Sequence, residues 1–348
     1  MLLLEPSLAH WLQHGEPSLP DFWPTLRAAE LAVWRRQFAD QAALDQALSD
    51  RLALLTATYP QFQTFAQQTW DAPVPLTLLW QLWLPLGISL VERQRSLQRP
   101  LIQGILGGQG TGKTTLTQAL AIIFTELGRT SLCLSIDDLY KTYADRQRLQ
   151  AADPRLIWRG PPGTHDVKLG IAVIDQVLHP QAGQAIAVPR FDKSLHQGAG
   201  DRTTPELLPS ADILLFEGWF VGARPIAPQR FDRAPAPIQS DGDRQFARDN
   251  NERLQAYEPL WDRLDQLMVL LPEDYRFSKR WRQEAEQRMK ATGKAGMSDA
   301  EIAQFVDYFW TALHPELFIE PLARDAHRTD LVVEIDVTHR PRRIYRPD

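Results

Sequence analysis

The sequence predicts an α/β fold in three layers, in which helices cover both faces of a mainly parallel sheet and an N-terminal helical extension precedes it. The alternation of short apolar runs with longer stretches of helical spacing, from Leu101 onward, predicts the sheet and its helices. The spacing before that point predicts the extension, because apolar residues recur there every three or four positions. Since 348 residues exceed one average domain, we expect a division into 1–98 and 99–348.

The predicted extension contains a regular leucine spacing and one long apolar stretch. The leucines of the regular spacing are Leu44, Leu48, Leu52 and Leu55. A turn is expected at Tyr59–Pro60, because proline removes a helical hydrogen bond. Segment 72–91 carries no charged residue, and its length is close to that of a membrane span. Its prolines and the polar residues that follow it favour a helix buried in the core.

Composition and charge exclude several classes of protein. The chain has 38 Lys plus Arg against 43 Asp plus Glu, a formal net charge of −5, which argues against a general nucleic-acid-binding protein. The single cysteine, Cys133, allows no disulfide within the chain and is typical of a reducing compartment such as the cytoplasm. The first residues lack the basic region of a signal peptide. We expect neither a membrane nor an obligate protein as partner.

The pattern after residue 98 predicts the elements of the sheet and its covering helices. Strands are expected at Leu101–Leu106, Ser131–Ile136, Ala185–Val188, Ile213–Phe216, Leu267–Leu271 and Leu331–Ile335. Helices are expected from about Lys113 to Leu127 and from about Val167 to Leu178. Region 223–250 is rich in Pro, Asp and Arg and is expected as a surface excursion. The basic segment 339–346 is interpreted as a solvated tail or a further strand.

A glycine-rich segment between the first strand and the first helix carries the strongest motif. The sequence GGQGTGKT, residues 107–114, fits the pattern G-x-x-x-x-G-K-[ST] of a nucleotide phosphate-binding loop, the P-loop. Its backbone N–H groups can surround a phosphate chain, Lys113 supplies a cation to the β- and γ-phosphates, and the Thr114 hydroxyl is placed to bind Mg²⁺. The predicted nucleotide-binding residues are Gly107, Gly110, Thr111, Gly112, Lys113, Thr114 and Thr115.

Two aspartates follow the second strand. The segment Ser-Ile-Asp-Asp occupies residues 135–138, and the carboxyl ends of parallel strands face the ligand crevice. A carboxylate at Asp137 could accept a proton from an attacking hydroxyl or hold a metal ion through water. Asp138 is the rival for this role. The structural alternative is an aspartate that caps the next helix.

Glu217 ends another apolar strand, in the segment Phe-Glu-Gly-Trp. An acid at this place beside a P-loop has the geometry of a second metal-coordinating carboxylate, together with the Thr114 hydroxyl. The structural alternative is again a cap of a helix or turn.

A basic segment follows the strand at Leu267–Leu271. It runs from about 275 to 290 and is expected to close over the phosphates as a lid, with an arginine that stabilises charge on the transferred group. Arg282 is the candidate for that arginine. The alternative is a simple helical ion pair between Arg282 and Glu286, four residues further along.

Two loops are unusually dense in polar residues. They are 159–166, with the sequence RGPPGTHD, and 189–202, with the sequence PRFDKSLHQGAGDR. Loops carry function more often than cores do, and the Arg, Lys and His residues could hold a small anionic substrate. Asp166 has an alternative role as the N-cap of the following helix.

Taken together, the motifs resemble those of the D-glycerate 3-kinase family of plants, cyanobacteria and some bacteria. The segments that carry the resemblance are GGQGTGKTT, SIDDLYKT, RGPPGTHD, VPRFDKS, GAGDR, LFEGW and RWRQEAEQRM, within about 84–344. The wider relatives are phosphoribulokinase, uridine kinase and bacterial pantothenate kinase. The resemblance implies a three-layer P-loop kinase fold, ATP and Mg²⁺, and transfer of the γ-phosphate to the 3-hydroxyl of D-glycerate. The product would be 3-phosphoglycerate, in photorespiratory salvage.

The resemblance also implies roles for individual residues. Asp137 matches the catalytic carboxylate, Lys113 and Thr114 the phosphate and Mg²⁺ ligands, Glu217 the second acid, and Arg282 a lid arginine. The residues implied in substrate binding are His165, Asp166, Arg190, Asp192 and Lys193, with Arg159 as a further cation for the glycerate carboxylate. The chain departs from the expected pattern at Pro161-Pro162 and at Phe191.

Two alternatives to this function follow from the residues alone. The same chemistry could act on another acceptor, such as a nucleoside, pantothenate or a sugar phosphate. A P-loop protein could instead use its nucleotide as a switch, but a switch needs neither an acceptor carboxylate nor a basic lid.

Overall fold

The computed structural model describes residues 4–17, 21–33, 41–70, 72–181, 183–291 and 297–348. Its strands are β1 Leu101–Gly107, β2 Ser131–Ser135, β3 Ile186–Val188, β4 Phe191–Asp192, β5 Asp201–Arg202, β6 Glu206–Leu208, β7 Ile213–Gly218, β8 Gln266–Pro272, β9 Leu331–Ile335 and β10 Pro341–Tyr345. Its helices in the extension are α1 Leu4–His14, α2 Phe22–Val33, α3 Gln41–Trp70, α4 Leu76–Leu78 and α5 Leu84–Leu97. The later helices are α6 Lys113–Glu126, α7 Tyr143–Ala152, α8 Val167–Leu178, α9 Asp241–Arg253, α10 Glu258–Trp261, α11 Phe277–Ala291, α12 Asp299–Ala312 and α13 Pro315–Ala323.

Among the described residues, six strands form one sheet in the order β10–β9–β8–β1–β7–β2. All neighbouring strands are parallel except β10, which pairs antiparallel with β9 at one edge. Every residue of β1 and β7 is buried, as expected for central strands covered on both faces. This arrangement confirms the predicted α/β fold with a mainly parallel sheet.

The two faces of β1 explain the three layers. Leu101 and Ile105 lie in one hydrophobic cluster with residues of α3, α5 and α6. Ile102 and Leu106 point to the opposite face and join a second cluster with residues of α8, α10 and α13. Since side chains alternate along a strand, this single apolar run supplies both cores.

The extension packs on the same core as the sheet. Leu48, Leu52 and Leu55 of α3 share the cluster that contains Leu120 and Phe124 of α6. A division of the chain at about residue 98 stays a prediction, and α5 does end there, where Gln98 has a left-handed φ of 54°.

Two predictions about the extension have different outcomes. The expected turn at Tyr59–Pro60 is wrong, because α3 continues through Pro60. Leu55 and Phe62, fully buried on either side of the proline, hold the helix in place despite the missing hydrogen bond. Segment 72–91 forms α4, a π-helical turn at Leu79–Trp83 and most of α5, as the sequence indicates, with Trp80 and Trp83 buried. No helix in the described ranges combines the length and the apolarity that crossing a membrane requires.

Two predictions after residue 98 are only partly correct. The strand expected at Ala185–Val188 is present as β3, but its expected place in the main sheet is wrong. It pairs antiparallel with β6 and is held by α8, where the Gln176 side chain accepts a hydrogen bond from the Ala187 N–H. Region 223–250 is not merely a surface excursion. It buries Phe231 and Phe246, apolar residues that stand singly among polar ones and so give no periodic signal.

Candidate active site

The P-loop lies where β1 ends and α6 begins. Gly110 and Gly112 have φ angles of 80° and 83°, a left-handed conformation that favours glycine. The Gly108 carbonyl accepts hydrogen bonds from the Thr111 hydroxyl at 2.9 Å and from Lys113 Nζ at 3.0 Å. Burial lowers the pKa of Lys113, against the opposing charges of Glu217 and Asp137. The loop therefore points its backbone and one cation at the space before the N-terminus of α6, which also favours anions.

Glu217 lies beside the P-loop because of the strand register. It pairs with Ile105 of β1 on one side and with Ser135 of β2 on the other. Its carboxylate is buried, with Oε1 lying 3.4 Å from Oγ1 of Thr114. Thr115 follows in the first turn of α6, where backbone N–H groups have no partner within the helix.

The Thr114 hydroxyl and the Glu217 carboxylate form a donor set that fits Mg²⁺ bound together with nucleotide phosphates. A hydroxyl and a carboxylate are hard oxygen ligands, and Mg²⁺ usually takes one or two protein ligands besides phosphate and water. No group of three or more His, Cys, Asp or Glu within the described part of the chain could hold a metal ion. Thr114 and Glu217 could hold the ion together with phosphate and water, and this role stays a prediction.

The two aspartates after β2 have different surroundings. Asp138 caps the short turn at Ile136–Leu139, since its Oδ2 accepts a hydrogen bond from the Ser135 N–H at 3.0 Å. The same oxygen lies 3.2 Å from a guanidinium nitrogen of Arg190. Asp137 instead places Oδ2 2.7 Å from Nζ of Lys193, and the Tyr140 hydroxyl lies near enough to lower the pKa of its carboxyl. The capping alternative thus describes Asp138, and Asp137 is the carboxylate that faces the P-loop charges.

Two opposing effects set the charge of Asp137. Burial raises the pKa of its carboxyl, but the Lys193 ammonium and the Tyr140 hydroxyl together lower that pKa below the ordinary value of 3.8. The carboxylate is therefore ionised throughout the neutral range. Tyr140 was missed as a functional residue, although it lies in the SIDDLY segment three positions after Asp137.

A hairpin brings Lys193 to Asp137. It consists of β4, β5 and the residues between them, and Lys193 follows β4 directly. The hairpin is fixed to α7, because Asp201 of β5 accepts a hydrogen bond from the Tyr143 N–H at 2.9 Å and the His196 ring stacks on the Tyr143 ring. The Lys193 side chain is 60% exposed, so it contacts Asp137 from the solvent side.

Two arginines hold the far side of this hairpin by its backbone. Arg159 donates to the carbonyls of Gly198 and Ala199, and Arg146 donates to those of Ala199 and Gly200. Their guanidinium groups lie 5.6 Å and 5.0 Å from the Phe191 ring centroid. In the described ranges, neither arginine has a carboxylate within ion-pair distance. Arg146 was not predicted, because it lies on α7, a helix that shows no buried face.

Three other predicted substrate residues are engaged in contacts with the protein. Arg190 lies 2.6 Å from Glu206 and 3.2 Å from Asp138. The other two are Asp166, which accepts from the Leu169 N–H and pairs with Arg202, and Asp192, which accepts from the Ser194 N–H. For Asp166 these contacts are those of the capping alternative. The roles of all three towards a substrate stay predictions.

His165 lies inside the site, where it is buried and stacks on Tyr140 with ring centroids 4.6 Å apart. Its backbone also forms a bridge with that of Tyr140. Burial lowers the pKa of His165 to about 3, so the ring is neutral at physiological pH. It is therefore not one of the cations that the sequence suggested for this loop.

The predicted lid contacts the P-loop through Trp281 of α11. A Cβ atom at Gly110 would come within 2.6 Å of Cβ of Trp281, and the indole N–H donates to the Val337 carbonyl at 3.0 Å. Arg282 lies 3.3 Å from Glu286 and 5.5 Å from the Phe305 ring centroid. These contacts are those of the ion-pair alternative, and the role of Arg282 in catalysis stays a prediction.

Comparisons with known proteins agree with this arrangement. No family model matches the chain. The chloroplastic D-glycerate 3-kinase of Arabidopsis thaliana is 34% identical over 255 residues, which are 70% of this chain and 54% of the relative, so the chain spans about half of that relative. An uncharacterized kinase of Schizosaccharomyces pombe is 31% identical over 236 residues, which are 64% of this chain and 83% of the relative. The solved D-glycerate 3-kinase from Cryptococcus neoformans has a TM-score of 0.68 at 26% identity, over 75% of this chain and 97% of that one.

The similarity covers between 64% and 75% of this chain. It extends over most of the length of the Schizosaccharomyces kinase and almost all of the Cryptococcus structure. The chain therefore belongs to the D-glycerate 3-kinase family of P-loop kinases.

Proposed function

We propose that this protein transfers the γ-phosphate of ATP to the 3-hydroxyl of D-glycerate and releases 3-phosphoglycerate and ADP. The observation that carries the proposal is the meeting of three groups at one edge of the sheet. Lys113 comes from the P-loop, Glu217 from the end of β7, and the Asp137–Lys193 pair from the end of β2 and the hairpin. A nucleotide site alone has no need of the acceptor carboxylate.

The transfer follows from this geometry. The 3-hydroxyl oxygen forms a bond to the γ-phosphorus, while the bond from that phosphorus to the β,γ-bridging oxygen breaks and its electrons leave with ADP. The hydroxyl proton passes to Asp137, which is ionised because Lys193 and Tyr140 lower its pKa. A weak base suffices, since phosphoryl transfer depends mainly on alignment and on neutralised charge. Lys113 supplies part of that charge at the phosphates.

The two arginines that hold the hairpin supply a site for the glycerate carboxylate. Arg159 and Arg146 carry positive charge that no described carboxylate pairs, and each retains donors besides those given to the backbone. Arg190 is a weaker candidate, because Glu206 and Asp138 already face it. Since the carboxylate is the largest handle on so small a substrate, this charge would dominate its affinity.

Mg²⁺ would be held by Thr114 and Glu217 and would neutralise part of the charge of the nucleotide phosphates. We also propose that α11 is the lid and that Arg282 leaves Glu286 to reach the transferred group. The contact of Trp281 with Gly110 supports this assignment, because it places α11 next to the P-loop.

The setting of the reaction belongs to the proposal as well. A single cysteine in 348 residues supports a reducing compartment such as the cytoplasm. A place in photorespiratory glycerate salvage is what the family resemblance implies, and it stays a prediction.

A panel of acceptors tests the proposal. ADP release from Mg-ATP is measured with D-glycerate, L-glycerate, uridine, pantothenate and ribulose 5-phosphate. We expect turnover on D-glycerate and background rates on the others. Turnover on a different acceptor alone would keep the kinase chemistry and reject D-glycerate. ADP release that ignores every acceptor would favour the nucleotide switch.

A further inference from the structure

His165 has one ring nitrogen with a partner and one without. Its Nδ1 lies 2.8 Å from the hydroxyl oxygen of Tyr257. The ring is enclosed by aromatic side chains, with centroids at 4.6 Å for Tyr140, 5.5 Å for Phe220 and 5.8 Å for Tyr257. Nε2 is fully buried, and no hydrogen-bond partner for it exists among the residues that the structure describes. A buried polar atom of this kind is uncommon in a folded protein and calls for an explanation.

The surroundings of Tyr257 assign the position of the imidazole proton. The Tyr257 oxygen already accepts a hydrogen bond from the Gly163 N–H at 2.9 Å. The phenol has one proton to donate, and His165 Nδ1 is the described atom that can accept it. If Nδ1 carried the proton instead, the phenol proton would have no described acceptor. Since the low pKa of His165 keeps the ring neutral, its single proton lies on Nε2.

The Nε2–H group is thus a donor fixed in direction beside the reacting groups. Tyr140, on which the His165 ring stacks, lies near enough to Asp137 for its hydroxyl to lower the pKa of that carboxyl. The Arg159 guanidinium lies 5.8 Å from the centroid of the same Tyr140 ring, so His165 lies near both the proton acceptor and the proposed carboxylate site. An acceptor substrate that contacts both Asp137 and the proposed carboxylate site therefore brings the oxygen between its two ends near His165.

We propose that the Nε2–H of His165 donates a hydrogen bond to the 2-hydroxyl of the acceptor, and that Tyr257 is the positioning residue that fixes this tautomer. The inference rests on the proposed function, because D-glycerate supplies the 2-hydroxyl between its carboxylate and its 3-hydroxyl. It makes the site selective for 2-hydroxy acids over analogues without that oxygen, such as 3-hydroxypropionate. Removal of one such bond in a polar site lowers kcat/KM by about tenfold or more.

Three variants test the proposal by activity. Y257F keeps the ring between Phe220 and Trp261 and removes the hydroxyl. We expect it to raise KM for D-glycerate and to lower kcat/KM about tenfold, with a smaller preference over 3-hydroxypropionate. H165Q can place an amide N–H near the Nε2 position and should retain more activity than H165N, whose amide reaches only the Nδ1 position. Wild-type KM and wild-type selectivity in Y257F, or equal activity of H165Q and H165N, would overturn the inference.

A spectroscopic measurement tests the tautomer without any substrate. The ¹⁵N signals of histidine-labelled full-length protein, assigned by comparison with H165Q, should show His165 protonated at Nε2, and Y257F should lose that preference. Protonation at Nδ1 in the wild type overturns the inference even if Y257F does not fold. Failure of the wild type to phosphorylate D-glycerate is a separate result, since it rejects the proposed function and leaves the tautomer to be judged by the spectrum.

Discussion

The phosphate side and the acceptor side of the site are built in different ways. On the phosphate side, Lys113, Thr114 and Glu217 follow directly from two buried central strands, and the strand register alone brings them together. On the acceptor side, a loop and a hairpin are held by hydrogen bonds from Arg159 and Arg146 to backbone carbonyls. The sheet thus determines the phosphate side, whereas long-range contacts between loops determine the acceptor side.

This difference predicts that selectivity for the acceptor substrate lies in the loops of the acceptor side. The phosphate side needs only glycine geometry, one lysine and two oxygen ligands, and many proteins share these. The acceptor side can change without disturbing the sheet, because its loops contribute little to the two hydrophobic cores. We therefore expect variants on the acceptor side to change KM for the acceptor and variants at the meeting point of the two sides to change kcat.

The largest effect is expected at the carboxylate where the two sides meet. D137N should leave the affinity for ATP unchanged and lower kcat by about 10²- to 10⁴-fold, because the acceptor hydroxyl loses its proton acceptor. Steady-state kinetics with D-glycerate and a separate nucleotide-binding titration measure the two quantities. The matched control is D138N, which should lose about 1 kcal/mol of stability with the capping box while turnover stays close to the wild type. Near-wild-type turnover of D137N would refute the role of Asp137.

A smaller effect is expected on the phosphate side at the lid. R282Q should lower kcat about 10²-fold with little change in KM for D-glycerate, because the substitution removes the cation that would stabilise negative charge on the transferred group. R280Q is the control, since Arg280 is an exposed arginine of the same helix that pairs with Glu284. If R282Q lowers the melting temperature and keeps kcat, Arg282 only ties α11 to Glu286 and Phe305.

The acceptor side alone is tested at the proposed carboxylate site. R159M should raise KM for D-glycerate by about tenfold to a hundredfold, because one charge-assisted hydrogen bond to the substrate carboxylate is worth about 1.5–3 kcal/mol. Its effect on kcat should be small. R148M serves as the control, because the Arg148 side chain is 79% exposed and pairs with Asp145 on the outer side of α7. An unchanged KM in R159M would move the carboxylate site elsewhere.

The smallest effect is a displacement of the pH profile. Burial raises the pKa of Asp137 and Lys193 lowers it, so K193Q should raise that pKa above its value in the wild type. Asp137 acts in its ionised form, and kcat should therefore fall at a higher pH in K193Q than in the wild type as the solution is acidified. Profiles of kcat against pH for both proteins measure this displacement. A shift to lower pH, or none, would contradict the assigned ion pair.

The phosphate side could be predicted from the sequence almost to the residue. The apolar run of β1, the glycines after it and the helical spacing of α6 are local signals, and each agrees with the others. The strand-end rule likewise predicted that Asp137 and Glu217 would lie near the P-loop. The different surroundings of Asp137 and Asp138 could not be predicted, because the capping bond of Asp138 depends on the conformation of one short turn.

The acceptor side could be predicted only in part. The polar loops were found by their composition. Arg146 was missed because α7 has no buried residue, so its sequence lacks the regular spacing of apolar residues that indicates a helix. Tyr257 could not be paired with His165, since 92 residues separate them along the chain. Two of the predicted substrate residues, Arg190 and Asp166, pair with Glu206 and Arg202, which only the folded chain brings near. Asp192 instead accepts a hydrogen bond from the Ser194 N–H, two residues along the chain.

In the proposed reaction, the 3-hydroxyl of D-glycerate lies against the γ-phosphate. ³¹P NMR of the product that the 348-residue protein forms from Mg-ATP and D-glycerate tests this placement most directly. We expect 3-phosphoglycerate and ADP in equal amounts. Formation of 2-phosphoglycerate would contradict the placement of the acceptor, and release of inorganic phosphate without a phosphorylated acid would contradict the kinase assignment.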